Sequence, residues 1–558
     1  CIFNEINKLN KIELKNNLKN ISNNEDLKEI FMEYMNDRFN FFNSFPDYLS
    51  FFNNLIDNID LKKEIMEKKK GGSGEIVEKI ETIMERIQTK MYNIKDDPIK
   101  LINYINSFLK PTEKKKKENG EVFTPINLVQ EMIGKLKDAD PKIFTNPNLK
   151  WLDPASGMGN FPVVVYMELM IGLKKWEPNI EKRRKWILEE MLYMVEYDKT
   201  NVFMMRKIFC GNKYKLNIFH GSFIDGERYI KEGIDIFALD LKDIKKDNNK
   251  NFIKKINKFN GKFDVIMGNP PFQKEFKNTN NRVGGSNIFS SFINNSFNYL
   301  NNNMFFLFIT PCSWMTGASN KQSGNLLSGI FHKYTLLYLN IQECSKYFKN
   351  IGSTFSYFII KKSNENLRFN CICKYKSKIY YSLIYNNDFR KLSIIPILLN
   401  NIIISIILKV INANNNKFNF KRLRDLDKSN KSTKIRYIQN GKYCVRHTVD
   451  KIFYTNYFQE CMNKHKIIIS KSGYLKTLYN KICGCSDATL FMYVKNKTEA
   501  IDIIKILNLK IYKLILNCYR ELTGFNNQND INKLSIINDI NELKLTNEEK
   551  KFIEEIIK

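Results

Sequence analysis

The sequence predicts an α/β protein: a parallel-sheet core, a helical amino-terminal region before it and a mixed α+β tail after it. Three observations predict this. Between residues 119 and 362, short apolar runs alternate with helical segments, the pattern of strands joined by crossover helices. Residues 1–118 instead repeat apolar positions at three- and four-residue spacing, as in Ile76, Ile80, Ile83, Met84 and Ile87. Residues 363–558 carry 34 Lys and Arg against 17 Asp and Glu, so +17 of the formal +30 lies in about a third of the chain.

Length and composition bound the function. A chain of 558 residues has room for about two to four domains. Its 13% aromatic content builds real cores and excludes a disordered protein. A net charge of +30 points to a polyanionic partner. Lys, Asn and Ile are also favoured by A/T-rich codons, so the location of the charge says more than its sum. Eleven Cys lie scattered with no C-x-x-C and no leader ahead of them, which predicts reduced thiols in an intracellular, cytoplasmic protein. The pairs Cys371/Cys373 and Cys483/Cys485 can each set two sulfurs on one strand face, without the spacing of a zinc site. The longest apolar run, Ile394 to Leu408, contains Pro396, Asn400 and Asn401. It is too short and polar to span a bilayer and reads as a buried helix, so no membrane partner is expected.

The elements follow in order. A Gly/Ser hinge, Gly71 to Gly74, divides the helical region, and the charged stretch Glu113 to Glu118 ends it. Asp60 with Glu67-Lys68-Lys69 superficially resembles a nuclease acid with E-x-K, but reads as a solvated Lys-rich helix face, so no cleavage is expected. Strands are predicted at Trp151-Leu152, Leu192 to Val195, Ile218-Phe219, Phe263 to Met267 and Phe305 to Ile309. In the tail, Lys466 to Ser470 and Ala488 to Val494 read as β, and Glu499 to Leu507 and Asn547 to Lys558 as helices. Asn412 to Lys417 and Asp425 to Lys434 read as loops.

Three strand ends carry chemistry. Trp151-Leu152-Asp153-Pro154-Ala155-Ser156-Gly157-Met158-Gly159-Asn160-Phe161 runs from strand through tight turn into an apolar helix, a ligand site at the carboxyl edge of a parallel sheet. Asp153 would hold a cationic amino group and repel a phosphate, which favours the amino acid end of S-adenosylmethionine over a dinucleotide. The second strand ends at Glu196, placed to accept hydrogen bonds from ribose hydroxyls. A basic helical insertion, Lys174 to Lys185, lengthens the interval before it. The fourth strand runs into Asn269-Pro270-Pro271-Phe272. The Asn269 side-chain oxygen and the Pro270 carbonyl can accept hydrogen bonds from one planar NH2, and Phe272 offers a face on which an extruded base can stack.

Together these segments resemble the S-adenosylmethionine-dependent N6-adenine DNA methyltransferases of restriction–modification systems. Gly120 to Pro125, followed by the helical Leu128 to Ile133, is similar to the family's first motif, and its early position resembles the gamma order of motifs. Thr310 to Trp314 resembles the loop after the next strand, and Tyr347 to Gly352 the motif supplying a second aromatic to the flipped base, here Phe348. The resemblance implies a Rossmann-like methyltransferase core at 119–362 and a basic DNA-recognition domain at 363–558. It implies cofactor contacts from Phe123, Thr124, Pro125, Asp153, Ala155, Gly157, Gly159, Asn160, Phe161, Glu196, Ser222 and Phe223. Ser222 stands where the family usually has the acid that meets the cofactor adenine, so that contact falls to Ser222 or Asp225. The implied catalytic residues are Asn269, Pro270, Pro271 and Phe272, with Phe272 and Phe348 stacking the base and no metal involved.

The implied reaction is direct methyl transfer to adenine N6 of double-stranded DNA, which needs positioning more than a strong base. Cys312 reads as a core residue and not a nucleophile, because the Asn-Pro-Pro-Phe segment already fills that slot. The four His form no spaced cluster. Three rivals stay open. The acceptor NH2 can belong to cytosine N4, guanine N2 in RNA or a protein glutamine. The chain can be a modification subunit that borrows specificity through its amino-terminal helices, and is otherwise a monomer. It can also be a catalytically silent DNA-binding scaffold.

Overall fold

The computed structural model describes residues 124–209, 213–221, 223, 234–235, 261–274, 286–316, 326–348, 354–423 and 441–557. The helical region 1–118 with its hinge, Phe123, Ser222, Asp225 and the loop at Asp425 to Lys434 lie outside them. The chain divides into two compact units, Cys1–Phe308 and Ile309–Lys558.

In the first unit, α1 (Ile126–Ala139) leads to β1 (Trp151–Asp153), α2 (Asn160–Gly172), α3 (Ile180–Trp186), β2 (Leu192–Glu196), α4 (Lys199–Ile208) and β3 (Asn217–His220). Short β4 (Ile234–Asp235), β5 (Phe263–Gly268), the hairpin of β6 (Gln273–Lys274) and β7 (Ser286–Asn287), α5 (Phe289–Tyr299) and β8 (Leu300–Pro311) complete it. The strand order is β4-β3-β2-β1-β5-β8. The pairs β3–β2, β2–β1, β1–β5 and β5–β8 are parallel, and β4 is antiparallel. Every residue of β1 and β2 is buried. A strand covered on both faces needs no polar alternation, which is why these read as unbroken apolar runs. The five strands predicted from sequence are present. The order reverses at β1, which lies between β2 and β5, so the ends of β1, β2 and β5 share one crevice. Asp264 pins the opposite ends, accepting from the Lys150 backbone N–H at 2.8 Å and the Asn301 amide at 2.9 Å.

The helical insertion is shorter than predicted. Pro178 blocks a helix running through from Lys174, and Asn179 caps a new start by accepting from the Lys182 N–H at 3.0 Å, so α3 begins at Ile180.

The second unit carries β9 (Thr335–Ile341), β10 (Phe355–Lys361), β11 (Arg368–Tyr375) and β12 (Lys378–Tyr385) in the order β10-β9-β11-β12. After these comes α6 (Asn401–Asn412). The predicted helix over Ile394 to Leu408 is therefore corrected. Ile394 to Leu399 are buried but not helical, and Asn400 caps the start of α6, accepting from the Ile403 N–H at 2.8 Å. Beyond it, β13 (Tyr443–Arg446), β14 (Ile452–Thr455), β15 (Lys466–Ser470), β16 (Thr477–Asn480), β17 (Gly484–Cys485) and β18 (Thr489–Tyr493) form two three-stranded sheets, β14-β13-β17 and β16-β15-β18. Helices α7 (Lys497–Leu507), α8 (Lys510–Thr523) and α9 (Asn547–Ile557) close the chain. The expectation of reduced thiols throughout is corrected as well. The β13–β17 pairing sets Cys444 and Cys483 at a Cα–Cα distance of 4.9 Å, and they form a disulfide. No helix among the described residues is long and apolar enough to cross a membrane.

Candidate active site

The turn after β1 is shaped by glycine. Gly157 and Gly159 have φ of 54° and 94°, and a Cβ on Gly159 would also stand 3.1 Å from Met205 Cγ. Ser156 ties the turn down, its Oγ donating to the Asp153 carbonyl at 2.9 Å and its N–H to the Val195 carbonyl at 3.0 Å. Asp153, at the end of β1, is only 1% exposed. Its Oδ1 accepts from the Ala155 N–H at 3.1 Å, while Oδ2 is buried with no hydrogen-bond partner among the described residues. Burial pushes this carboxyl up to about 8. A buried acid with an orphaned oxygen at a ligand crevice is suited to meet a cation. The ammonium of an amino acid fits that demand, and a phosphate does not.

Glu196, at the end of β2, is also buried. Oε2 accepts from the Gly157 N–H at 2.8 Å, and Oε1 from the Asp198 N–H at 2.7 Å and the Asn201 amide at 3.3 Å. The acid therefore clamps the glycine turn to the neighbouring strand. A ribose hydroxyl reaching this carboxylate would replace one of these donors.

At the end of β5, a Cβ on Gly268 would stand 2.8 Å from Asp153 Oδ1, so only glycine lets the two strand ends come this close. The next residue, Asn269, donates from Nδ2 to Thr124 Oγ1 at 3.0 Å. That bond fixes the amide's orientation and puts Oδ1 on the opposite side. Thr124 is buried, and its carbonyl accepts from Asn160 Nδ2 at 2.6 Å. One threonine thus joins the turn before α1, the start of α2 and the end of β5. Pro125 carries α1 onward, its carbonyl accepting from the Leu128 and Val129 N–H groups. Pro270 is buried, Pro271 and Phe272 are half-buried, and the Phe272 carbonyl accepts from the Ile288 N–H at 3.2 Å.

The structure brings together Thr124, Asp153, Ala155, Gly157, Asn160, Glu196 and Asn269 from the residues singled out in sequence. Phe161 is buried within α2. Phe223 packs on α5, its ring 6.0 Å from Phe292 and 5.6 Å from Tyr299. Phe348 belongs to the second unit, where its ring lies 5.2 Å from Phe355. Sequence reasoning missed Gly268 and the linking role of Thr124. The only signals were a glycine before Asn269 and a hydroxyl in the Phe-Thr-Pro turn. Cys312 is fully buried, and burial pushes its thiol up to about 12, so it is a core residue and not a thiolate nucleophile.

Residues 190–348 match the Eco57I restriction-modification methylase family. The family match covers Glu196 and Asn269 to Phe272 but starts beyond Thr124, Asp153 and the glycine turn. An uncharacterized adenine-specific methylase of Mycoplasma pneumoniae is 27% identical over 268 residues, covering 40% of this chain and 60% of the relative. The match thus spans less than two thirds of that relative's length. Among solved structures, the Type IIL restriction-modification enzyme MmeI in complex with DNA is 12% identical, with a TM-score of 0.43 over 77% of this chain and 68% of that one. The DrdV–DNA complex is also 12% identical, with a TM-score of 0.48 over 93% of this chain and 66% of that one.

Proposed function

We propose that the chain is a DNA methyltransferase that transfers a methyl group from S-adenosylmethionine to adenine N6 of a flipped-out base, within a restriction–modification system. The observation that carries this reading is the meeting of buried Asp153 and Asn269-Pro270-Pro271-Phe272 at adjacent strand ends, with Thr124 holding Asn269 in place. The match to a restriction–modification methylase family and to an adenine-specific methylase supports the base and the context. The order of segments supports the gamma arrangement: Phe-Thr-Pro, glycine turn, Asn-Pro-Pro-Phe, basic tail.

When bound, S-adenosylmethionine supplies an electrophilic methyl group. Asp153 would hold its ammonium, the Gly157–Gly159 turn its amino acid end and Glu196 its ribose. Asn269 Oδ1 and the Pro270 carbonyl would accept from the adenine NH2, turning the nitrogen lone pair out of conjugation and toward the methyl group. Phe272 would stack on the base, at a flipping cost of a few kcal/mol. The proton can leave after the methyl arrives, so no strong base is required. Assignment of Phe348 as a second stacking ring, of Phe123, Ser222 and Phe223 as cofactor contacts, and of 119–362 and 363–558 as catalytic and recognition domains rests on the motif resemblance.

The test is transfer of labelled methyl from S-adenosylmethionine to unmethylated genomic DNA, with nucleoside analysis of the digest, for wild type and Asn269→Ala. The expected result is N6-methyladenine from wild type and a loss of about a hundredfold or more in the variant. Cofactor binding without a DNA product would reject DNA as the acceptor for the isolated chain. No cofactor binding would reject the enzyme reading.

A further inference from the structure

We infer that an aromatic–basic knob in the second unit, built from exposed Tyr474 and Phe525 and half-buried Arg520, grips duplex DNA. The inference rests on the methyltransferase reading and deepens it. Tyr474 is 63% and Phe525 55% exposed. They are built into one place. Ser472 and Phe525 form an antiparallel bridge, and the Asn526 N–H donates to the Lys471 carbonyl at 2.7 Å. Asn526 Nδ2 donates to the Ser470 and Gly473 carbonyls at 2.9 and 3.3 Å. These bonds hold the loop between β15 and β16 against the end of α8. Gly524 ends that helix in the left-handed region, its N–H returning to the Arg520 carbonyl at 2.7 Å, and Phe525 follows it.

The knob carries a half-buried cation stacked on an aromatic ring. The Arg520 guanidinium lies 4.4 Å from the centre of the Tyr474 ring. It makes no salt bridge among the described residues, and its buried Nε has no hydrogen-bond partner among them. Burial pushes the adjacent Glu521 above the usual carboxylate range, while the charges of Arg520 and Lys376 pull it back down. From Cys461 to Ser486 the chain has five Lys and no Asp or Glu. Of these, Lys464 pairs with Glu460 and Lys476 with Asp450. A guanidinium stacked on a ring is suited to a phosphate oxygen.

Position selects DNA over another polyanion. Thr354 Oγ1 donates to the Leu522 carbonyl at 2.7 Å, and the Thr354 carbonyl accepts from the Cys312 N–H at 3.0 Å. Cys312 directly follows β8, and Thr354 directly precedes Phe355, on which Phe348 packs. The last turn of α8 is therefore bonded to the edge where β8 ends and Phe348 stands. A duplex contacted at Phe348 meets the knob. Arg520 would take a phosphate, and the Tyr474 and Phe525 rings would pack on sugars or bases unstacked by the flip.

The test compares wild type, Arg520→Ala, Tyr474→Ala, Phe525→Ala and the control Tyr381→Ala, whose ring is 72% exposed on β12. The readouts are anisotropy of a labelled unmethylated duplex against salt, methyl transfer, cofactor Kd and melting temperature. Each ring variant is expected to weaken DNA binding about tenfold. Arg520→Ala is expected to lower the salt slope by about one. Cofactor Kd and melting temperature should hold, and Tyr381→Ala should match wild type. An active wild type with knob variants that bind DNA normally overturns the knob alone, as does a DNA loss that only tracks a fall in melting temperature. A wild type that binds cofactor but no DNA rejects DNA as the acceptor and overturns the knob with it.

Discussion

Asp153 combines a buried position, an orphaned oxygen and a carboxyl pushed up to about 8, and this makes cofactor binding depend on pH. Burial raises the folded pKa above the ordinary 3.8. Its contribution to the stability of the free protein is thus fully present below about 3.8 and lost as pH rises through about 8. A bound ammonium favours the ionised form and lowers that pKa, so binding below pH 8 expels a proton. Cofactor affinity is then expected to rise up to about tenfold per pH unit from 6 toward 8 and to fall above that, where the ligand's own α-amino group, ordinarily at about 7.7–8.0, loses its proton. Asp153→Asn should bind more weakly at pH 8 and lose the slope. Calorimetry in buffers of different ionisation enthalpy measures the proton directly, and an equal slope in the variant would remove Asp153 from the ammonium site. Asp153, Glu196 and Asn269 stand out in the sequence because each is a polar residue at the end of an apolar strand. The role of Thr124 was not legible. Its bond to Asn269 joins residues 145 positions apart, and no local pattern marks such a meeting.

Elements were legible where periodicity acted alone and misread where one residue overrode it. Strands β1, β2, β3, β5 and β8 were found as apolar runs because both faces are covered. The helix predicted from Ile394 was misplaced because Pro396 disfavours helical geometry before it and lacks an N–H, leaving Asn400 to supply the cap. The same logic makes the end of β5 testable. Gly268 stands where a Cβ would meet Asp153 Oδ1 at 2.8 Å, with Phe308 Cε1 at 3.7 Å behind it. Gly268→Ala must therefore push β5 away from β1 or displace the Asp153 carboxyl. The expected cost is about 1–3 kcal/mol of stability with a larger proportional loss of cofactor affinity, read from chemical denaturation and equilibrium binding. A variant as stable and as tightly binding as wild type would show that the strand ends are looser than this packing implies.

At the scale of the whole molecule, charge was legible and pairing was not. The tail's excess of 34 basic over 17 acidic residues is a property of composition, whereas the Cys444–Cys483 disulfide depends on how two strands meet. Charge also separates the acceptors still open to the chain. A protein that neutralises phosphates releases condensed counterions, so the logarithm of its affinity falls linearly with the logarithm of salt. For about six phosphate contacts, affinity should drop about a thousandfold between roughly 50 and 200 mM salt. Cofactor binding should change little over the same range, because the Asp153 and Glu196 carboxylates are buried and weakly screened. Parallel titrations of the full chain with duplex and with S-adenosylmethionine measure both slopes. A steep slope for duplex beside a flat one for cofactor is the expected result. Equally flat slopes would mean that the +17 of the tail does not meet a phosphate backbone, and the acceptor would then be sought in a less charged NH2 such as a protein amide.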